Sequence, residues 1–250
     1  MYNSAPLRLL QATPAPGRGC RHANRMIRLG GEQAPNTWTL ENESMKLASI
    51  VAIFGLALPL GLGTAAALAE GNAENGQALS ITCSACHGMD GNSIANPDWP
   101  SLAGQHPEYI LRQLQHFKSG ERQDPLMSPM VIPLSDQDMA DLAAYFAAQK
   151  RVGLEADPDQ VDLGQRLYRG GDADAGIAAC AACHGPGGKG NPMALYPALQ
   201  GQHAAYIEIQ LKAYRSGARQ TDPNRMMRDI ASSLSDEQIA AVASYVQGLR

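Results

Sequence analysis

Apolar residues recur at helical spacing in two similar stretches of the chain, each of which directly follows a Gln-His pair. The first stretch carries Tyr109, Ile110, Leu114 and Phe117, and the second carries Tyr206, Ile207, Leu211 and Tyr214. Residues three or four positions apart share one face of a helix, so each stretch predicts an amphipathic helix. No stretch alternates convincingly between apolar and polar residues, as a half-buried strand would. The pattern therefore predicts an all-α protein.

Each of these helices is predicted to have one helix before it and one after it. The earlier helices cover about residues 73–83 and about residues 158–168. The later helices start at Ser135 and at Ser235. The residues three positions further on, which would complete a capping box, are Asp138 and Gln238. Each half of the chain is thus predicted to contain three helices joined by long loops.

The two halves are copies of one another. Residues 99–106 match residues 196–203 at an offset of 97, and the offset becomes 100 from Leu134 onwards. The second copy therefore has three extra residues before its last helix. Two copies indicate two similar domains, because a solenoid needs more repeats. We place the linker in the polar stretch 150–157, which predicts domains at residues 70–151 and 152–250.

Residues 45–69 are predicted to be a secretory signal peptide. A short positive start at Met45-Lys46 precedes an apolar run and an Ala-rich end, with cleavage expected after Ala69. The alternative is a retained membrane anchor, because the apolar run is near the short limit for a span. Residues 1–44 are rich in Pro, Gly and Arg without a clear period, which predicts disorder. Either translation starts at Met45 and they are not made, or they form an unusual leader.

The predicted exported chain is acidic and poor in large aromatic residues. Residues 70–250 contain 14 Lys and Arg against 21 Asp and Glu, a net charge of −7. This balance argues against nucleic-acid binding and favours protein partners with a positive face. The three Phe and two Trp of the whole chain predict thin cores, and small domains of this kind usually need a disulfide, a metal or a cofactor.

A C-x-x-C-H motif occurs once in each copy, at matching positions. The motifs are Cys83-Ser84-Ala85-Cys86-His87 and Cys180-Ala181-Ala182-Cys183-His184. This spacing is typical of c-type haem attachment. Two Cys one helical turn apart can each bond one vinyl group of a haem, and the following His then reaches the iron. The motifs predict two covalently bound haems c, with Cys83, Cys86, Cys180 and Cys183 as attachment points and His87 and His184 as axial ligands.

Other uses of these cysteines are less consistent with the sequence. A zinc site built from two C-x-x-C pairs would leave the His after each pair unexplained. Structural disulfides between such close residues are disfavoured, and a thioredoxin-like motif would need a strand pattern that is missing. The fifth cysteine, Cys20, precedes the predicted signal peptide. All four cysteines of the exported chain are therefore assigned to haem.

The repeat also selects candidates for the second axial ligand of each iron. Met127 lies eight residues before Ser135, and Met227 lies eight residues before Ser235. The remaining Met residues of these regions are Met130, Met139 and Met226, and each is matched by a different residue type in the other copy. These are predicted to be core fillers. His/Met coordination is a standard way to hold haem c and raise its potential, so Met127 and Met227 are predicted as ligands.

Other repeated residues near the motifs are predicted to have supporting roles. We propose that the carbonyls of Pro100 and Pro197 accept the second ring N–H of each proximal His, which orients a metal-binding imidazole; a purely loop-shaping role is compatible with this. His106 and His203 are predicted to make a structural hydrogen bond or helix cap, with iron ligation as the alternative. His116 has no counterpart in the second copy and is predicted to lie on the surface.

These motifs together resemble the dihaem cytochrome c4 family. The resemblance rests on the paired C-x-x-C-H motifs, the P-x-L-x-G-Q-H segments, the two Met positions and the Leu-Ser-Asp helix starts, and it covers residues 70–250. It implies two tandem class I cytochrome c domains related by pseudo-twofold symmetry, each wrapped around one haem c. It also implies that the haem propionate edges face each other across the interface between the domains.

The resemblance implies a role in periplasmic electron transfer, often with loose membrane association. The partners would be redox proteins, with a membrane cytochrome complex as donor and a terminal oxidase as acceptor. With His and Met on both irons no position is open for substrate, which favours a carrier over an enzyme. One alternative is the cytochrome subunit of a dehydrogenase, such as a flavocytochrome sulfide dehydrogenase. The other is a dihaem enzyme, such as a peroxidase or a thiosulfate-oxidising cytochrome.

Overall fold

The computed structural model describes residues 70–250, and the predicted leader and signal peptide at 1–44 and 45–69 lie outside the described residues. The helices of the first half are α1 (Ala73–Leu79), α2 (Ile81–His87), α3 (Pro107–Ser119), α4 (Met127–Val131) and α5 (Asp136–Ala148). Those of the second half are α6 (Pro158–Gly170), α7 (Ala181–His184), α8 (Ala204–Ser216), α9 (Met226–Ser232) and α10 (Asp236–Gly248). A short 3₁₀ helix, Pro223–Arg225, precedes α9.

The all-α prediction is confirmed for the part of the chain that the structure describes. The β-structure there consists of two isolated bridges, Asp172–Ile177 and Asn191–Tyr196, each of which closes a loop. Each half has its own apolar core, gathered on its last helix. Leu142 and Phe146 of α5 are central to the first core, and Val242 and Val246 of α10 take the same places in the second.

The first and last helices of each half pack so closely that one position allows no side chain beyond hydrogen. A Cβ on Gly76 of α1 would overlap the backbone carbonyl of Asp141, and a Cβ on Gly164 of α6 would overlap the carbonyl of Ala241. The two glycines occur in the same short sequence, Gly-Gln-x-Leu, at an offset of 88. They set the distance between the helices that hold each half together.

The predicted first helix differs from the observed one in both halves. In the first half the segment is divided between α1 and α2, which meet at Ser80, and α2 runs through the whole motif to His87. In the second half α6 ends at Gly170, and a loop closed by the Asp172–Ile177 bridge precedes α7. The offset rises from 88 at the glycines to 97 at the motif cysteines, so the second half has a nine-residue insertion that the sequence prediction missed.

Two short helices, α4 and α9, were also missed, because five to seven residues are too few to show a helical period. The three extra residues predicted in the second copy lie in this region. They are accommodated by the 3₁₀ helix, in which Asn224 and Arg225 adopt left-handed backbone angles. The inserted residues therefore change the approach to α9 and leave the lengths of the longer helices α8 and α10 equal to those of α3 and α5.

Both predicted capping boxes are confirmed. The hydroxyl of Ser135 accepts from the backbone N–H of Asp138, and that of Ser235 accepts from the N–H of Gln238. In each box the side chain three positions on accepts from the N–H of the serine in return. The reciprocal bonds satisfy two backbone donors that the first turn of a helix leaves free.

Replacing Ser235 with Ala is expected to lower the free energy of unfolding of the second domain by about 1 kcal/mol, because the first turn of α10 loses its cap. Urea unfolding followed by circular dichroism measures this. Ser233→Ala provides the control, since Ser233 is exposed and lies just before the cap. An equal loss of stability in both variants would contradict the capping role.

No helix within residues 70–250 is both long enough and apolar enough to cross a membrane.

Candidate haem sites and the contact between the domains

Each C-x-x-C-H motif ends a helix with a buried histidine. His87 is the last residue of α2 and is 5% exposed, and His184 is the last residue of α7 and is 7% exposed. Each helix stops there because the next residue, Gly88 or Gly185, has a positive φ angle that favours glycine. The sequence Cys-His-Gly therefore turns the chain away from the helix and leaves the imidazole facing inward.

The two histidine rings are oriented by the same contact. Nδ1 of His87 donates to the carbonyl oxygen of Pro100 at 2.8 Å, and Nδ1 of His184 donates to that of Pro197 at 3.0 Å. Burial lowers the pKa of both imidazoles, and this outweighs the opposing effect of the proline carbonyls. A neutral ring protonated at Nδ1 keeps a lone pair on Nε2. Within residues 70–250, neither Nε2 atom has a hydrogen-bond partner.

The four motif cysteines form no disulfide and are half-buried. Cys83 contacts the core of the first half, and Cys180 contacts that of the second. Burial raises the pKa of the Cys83 thiol, and it raises the pKa of Cys180 to about 11. Before a haem is attached, both thiols would therefore be neutral and lie against an apolar surface, one helical turn from the second thiol of the motif.

The two methionines singled out by the repeat lie at the starts of corresponding helices. Met127 is the first residue of α4, and its backbone N–H donates to the carboxylate of Asp124 at 2.9 Å. Met227 is the second residue of α9 and packs against the core of the second half. Both side chains are half-buried.

The other methionines differ in their surroundings. Met139 is 1% exposed and fills the core as predicted, whereas Met130 is 43% exposed, so its assignment to the core is wrong. Met130 points outward because α4 is one of the short helices at the surface of the first half. The sulfur of Met226 accepts a long hydrogen bond of 3.9 Å from the hydroxyl of Tyr196, whose ring lies 6.3 Å from that of His184.

The Gly-Gln-His segments join the two domains. The side-chain amide of Gln105 pairs with the backbone of Ala198, donating at 2.9 Å and accepting at 2.8 Å, and that of Gln202 pairs with Ser101 at 2.9 Å in both directions. Both glutamines are buried, at 7% and 4% exposure. Each amide thus satisfies the backbone of the opposite Pro-x-Leu segment, which also supplies the carbonyl that orients the histidine.

The predicted hydrogen bonds of His106 and His203 are present, but neither side chain caps its helix. Nε2 of His106 donates to the carbonyl of Lys189, and Nε2 of His203 donates to that of Ser93. Both bonds cross from one domain to the other. The sequence places these histidines at the N-termini of α3 and α8, and only the approach of the second domain provides their partners.

The expectation that His116 lies on the surface is wrong. Its side chain is 17% exposed, and Nδ1 is buried without a hydrogen-bond partner. Nε2 lies 3.5 Å from the carboxylate of Glu121. Burial lowers the pKa of this histidine, and nearby arginines lower it further, although Glu121 acts in the opposite direction. His116 is therefore a half-buried residue beside arginines of both domains.

The side chains of each motif fit a covalently attached haem. Each motif offers two free thiols, a buried neutral imidazole with an unused Nε2 and a carbonyl that fixes its ring, which is the donor set that haem c needs. A zinc site does not fit: no group of three or more His, Cys, Asp or Glu residues converges anywhere in residues 70–250.

Comparison with known proteins identifies the family. The family model described as cytochrome c matches residues 73–150 and again residues 161–250. The chain is 49% identical to the cytochrome c4 of Thiocapsa roseopersicina over 187 residues, covering 74% of this chain and 96% of the relative. The crystal structure of reduced recombinant cytochrome c4 from Pseudomonas stutzeri is 46% identical, with a TM-score of 0.70, over 72% of this chain and 100% of that one.

A further relative carries a functional name. A thiosulfate dehydrogenase electron acceptor of Stutzerimonas stutzeri is 39% identical over 169 residues, which cover 66% of this chain and 78% of the relative.

Two cytochrome c domains in tandem, each with its own haem-attachment motif, define the chain as a dihaem c-type cytochrome and an electron-transfer protein. It belongs to the cytochrome c4 family. Each of its domains binds one haem c covalently.

Proposed function

We propose that the protein is a periplasmic carrier of single electrons, with both irons held between a histidine and a methionine. His87 and Met127 would hold the first iron, and His184 and Met227 the second. The observation that supports this best is the pair of buried imidazoles, each with Nδ1 bonded to a proline carbonyl and Nε2 free. Haem c supplies a one-electron couple. The chain attaches it through Cys83, Cys86, Cys180 and Cys183 and sets its surroundings.

The carbonyls of Pro100 and Pro197 would act as orienting groups in this carrier. A histidine that donates Nδ1–H to a carbonyl keeps one ring orientation and becomes a stronger donor at Nε2. The paired glutamine contacts hold the same Pro-x-Leu segments from the opposite domain. The orientation of each imidazole would therefore depend on the contact between the domains as well as on its own domain.

A terminal oxidase is the acceptor we propose, with a membrane cytochrome complex as donor. Residues 70–151 contain ten Asp and Glu against five Lys and Arg, so the first domain is the more acidic of the two. An acidic surface steers a carrier towards partners with a basic face and makes their association dependent on salt. The export predicted from residues 45–69 would place the carrier in the periplasm, where such partners meet it.

A second candidate role is favoured by one comparison. The relative named as a thiosulfate dehydrogenase electron acceptor suggests a thiosulfate dehydrogenase as an alternative donor. The protein would carry two haems in either role, and the two roles would differ in the surface that contacts the donor. Rapid reduction of the protein by a thiosulfate dehydrogenase and thiosulfate, without membranes, would favour this role over reduction by a membrane complex.

The carrier function is tested with the native holoprotein. We expect the reduced protein to bind no carbon monoxide and the oxidised protein to turn over no peroxide, because both irons are closed. A reductive titration should take up two electrons per chain, and membranes with an active terminal oxidase should reoxidise the reduced protein more slowly as salt rises. Carbon monoxide binding to the native protein would indicate an open iron and would contradict the carrier.

A further inference from the structure

Two arginines at the contact between the domains form a closed ring with two glutamines. Arg122 donates to Oε1 of Gln113 at 2.8 Å and to Oε1 of Gln210 at 2.9 Å. Arg219 donates to the same two oxygens, at 2.8 Å for Gln113 and 2.7 Å for Gln210. Each amide oxygen therefore accepts from one arginine of each domain. We call these four residues the arginine–glutamine ring.

The ring is built in the same way by both copies of the repeat. Arg122 and Arg219 lie at an offset of 97, two residues after the glycine that ends α3 or α8. The backbone N–H of Arg122 donates to the carbonyl of His116, and that of Arg219 donates to the carbonyl of Ala213, so each arginine folds back along its own helix. The sequence Ser-Gly-x-Arg-Gln thus aims both guanidinium groups at the opposite domain.

Aromatic residues complete the surroundings of the ring. Each arginine also donates to a tyrosine hydroxyl of the other domain: Arg122 to Tyr206 at 3.0 Å and Arg219 to Tyr109 at 3.1 Å. The guanidinium of Arg122 lies 4.5 Å from the ring centre of Phe117, and that of Arg219 lies 4.6 Å from that of Tyr214. The hydrogen-bond acceptors and aromatic rings that contact these two guanidinium groups are all uncharged.

The ring holds two like charges close together. None of the ion pairs among residues 70–250 involves Arg122 or Arg219. Arg219 is 6% exposed, and a third arginine, Arg112, has a buried Nε without a hydrogen-bond partner. Arginine stays charged in such surroundings. The repeat therefore places one fixed positive charge from each copy at the contact between the domains.

We propose that the arginine–glutamine ring fixes the two domains together and that its two positive charges raise the reduction potentials of both haems. A ferric haem carries one more positive charge than a ferrous haem, so a nearby fixed cation disfavours the oxidised form. Arg122 lies five residues before Met127, and five residues span at most about 18 Å. Because the ring is largely shielded from water, its field is screened less than that of a surface charge.

The test compares a variant that removes the charges with one that keeps them. In the holoprotein, Arg122→Gln combined with Arg219→Gln is expected to lower both midpoint potentials. The ferric-to-ferrous ratio at a given potential should rise about tenfold, which for a one-electron couple corresponds to a shift of about 59 mV. Arg122→Lys with Arg219→Lys should leave the potentials close to those of the native protein. The lysines keep the charge but lose the planar fork that reaches both glutamines, so the two domains should unfold less cooperatively than in the native protein.

Arg166→Gln is the matched control, because Arg166 is exposed on α6 and its loss also removes one positive charge. Spectroelectrochemical titration gives the potentials, and thermal unfolding followed by circular dichroism gives the coupling of the domains. If the double glutamine variant does not fold, the single variant Arg122→Gln at the half-buried position should show part of the shift. Unchanged potentials in the glutamine variants, or an equal shift in Arg166→Gln, would overturn the proposal.

A lysine variant with potentials as low as those of the glutamine variant would also overturn the proposal that the positive charges raise the potentials. The expected shift at the first haem rests on the proposed ligation of its iron by Met127. Failure of the carrier function would be seen separately, as carbon monoxide binding to the native protein.

Discussion

Met127→Ala is expected to remove about half of the absorbance that arises from iron–thioether bonds, because one of the two proposed bonds would be lost. The haem of the first domain should also fall in potential, since a methionine ligand raises it. Met227→Ala should have the same effect on the second domain. In each variant the opened iron should bind carbon monoxide when reduced, which the native protein should not do.

Neighbouring methionines provide close controls for both substitutions. Met130→Ala changes the same short helix as Met127 but removes a side chain that is 43% exposed, so the absorbance should remain. Met226→Ala removes the sulfur that contacts the Tyr196 hydroxyl, and this variant should also keep the iron–thioether absorbance. If Met226→Ala lost the absorbance and Met227→Ala kept it, the ligand of the second iron would be wrongly assigned.

Gly164→Ala is expected to be among the most destabilising small substitutions in the second domain. The added Cβ would overlap the carbonyl oxygen of Ala241 and lie 2.7 Å from Cβ of Tyr245. Backbone atoms of α10 cannot move aside without separating α6 from the core. Overpacking of this kind costs about 1–3 kcal/mol, occasionally more, and the higher helix propensity of alanine offsets less than about 1 kcal/mol of it. The melting temperature of the holoprotein should therefore fall.

Gly170→Ala is a control in the same helix. Nothing lies within 4 Å of a Cβ at Gly170, so this substitution should be neutral or slightly stabilising. Gly76→Ala should destabilise the first domain as Gly164→Ala does the second, because its Cβ would meet the carbonyl of Asp141. Equal melting temperatures for Gly164→Ala and Gly170→Ala would show that the close packing of α6 and α10 does not limit the stability of the second domain.

Local features of the fold were predicted well because they depend on neighbouring residues. The capping boxes at Ser135 and Ser235, the helices after the Gln-His pairs and the position of the haem-attachment motifs all follow from patterns within a few positions. The short helices α4 and α9 gave no such pattern. The nine-residue insertion between α6 and α7 was missed although the Gly-Gln-x-Leu repeat at Gly76 and Gly164 marks it, because the insertion precedes the motif and leaves the offset of 97 beyond it unchanged.

The sequence by itself determined the fold class, the twofold repeat and the presence of two haems c, because the C-x-x-C-H motif has a fixed local spacing. Only the tertiary structure shows the roles of the other repeated polar residues. Gln105, Gln202, Arg122 and Arg219 also donate to acceptors in the opposite domain, about a hundred residues away. No pattern of neighbouring residues predicts these bonds, so the sequence could not assign the four residues a role. A buried polar group is explained by the partner that satisfies it, and here the packing of one domain on the other supplies that partner.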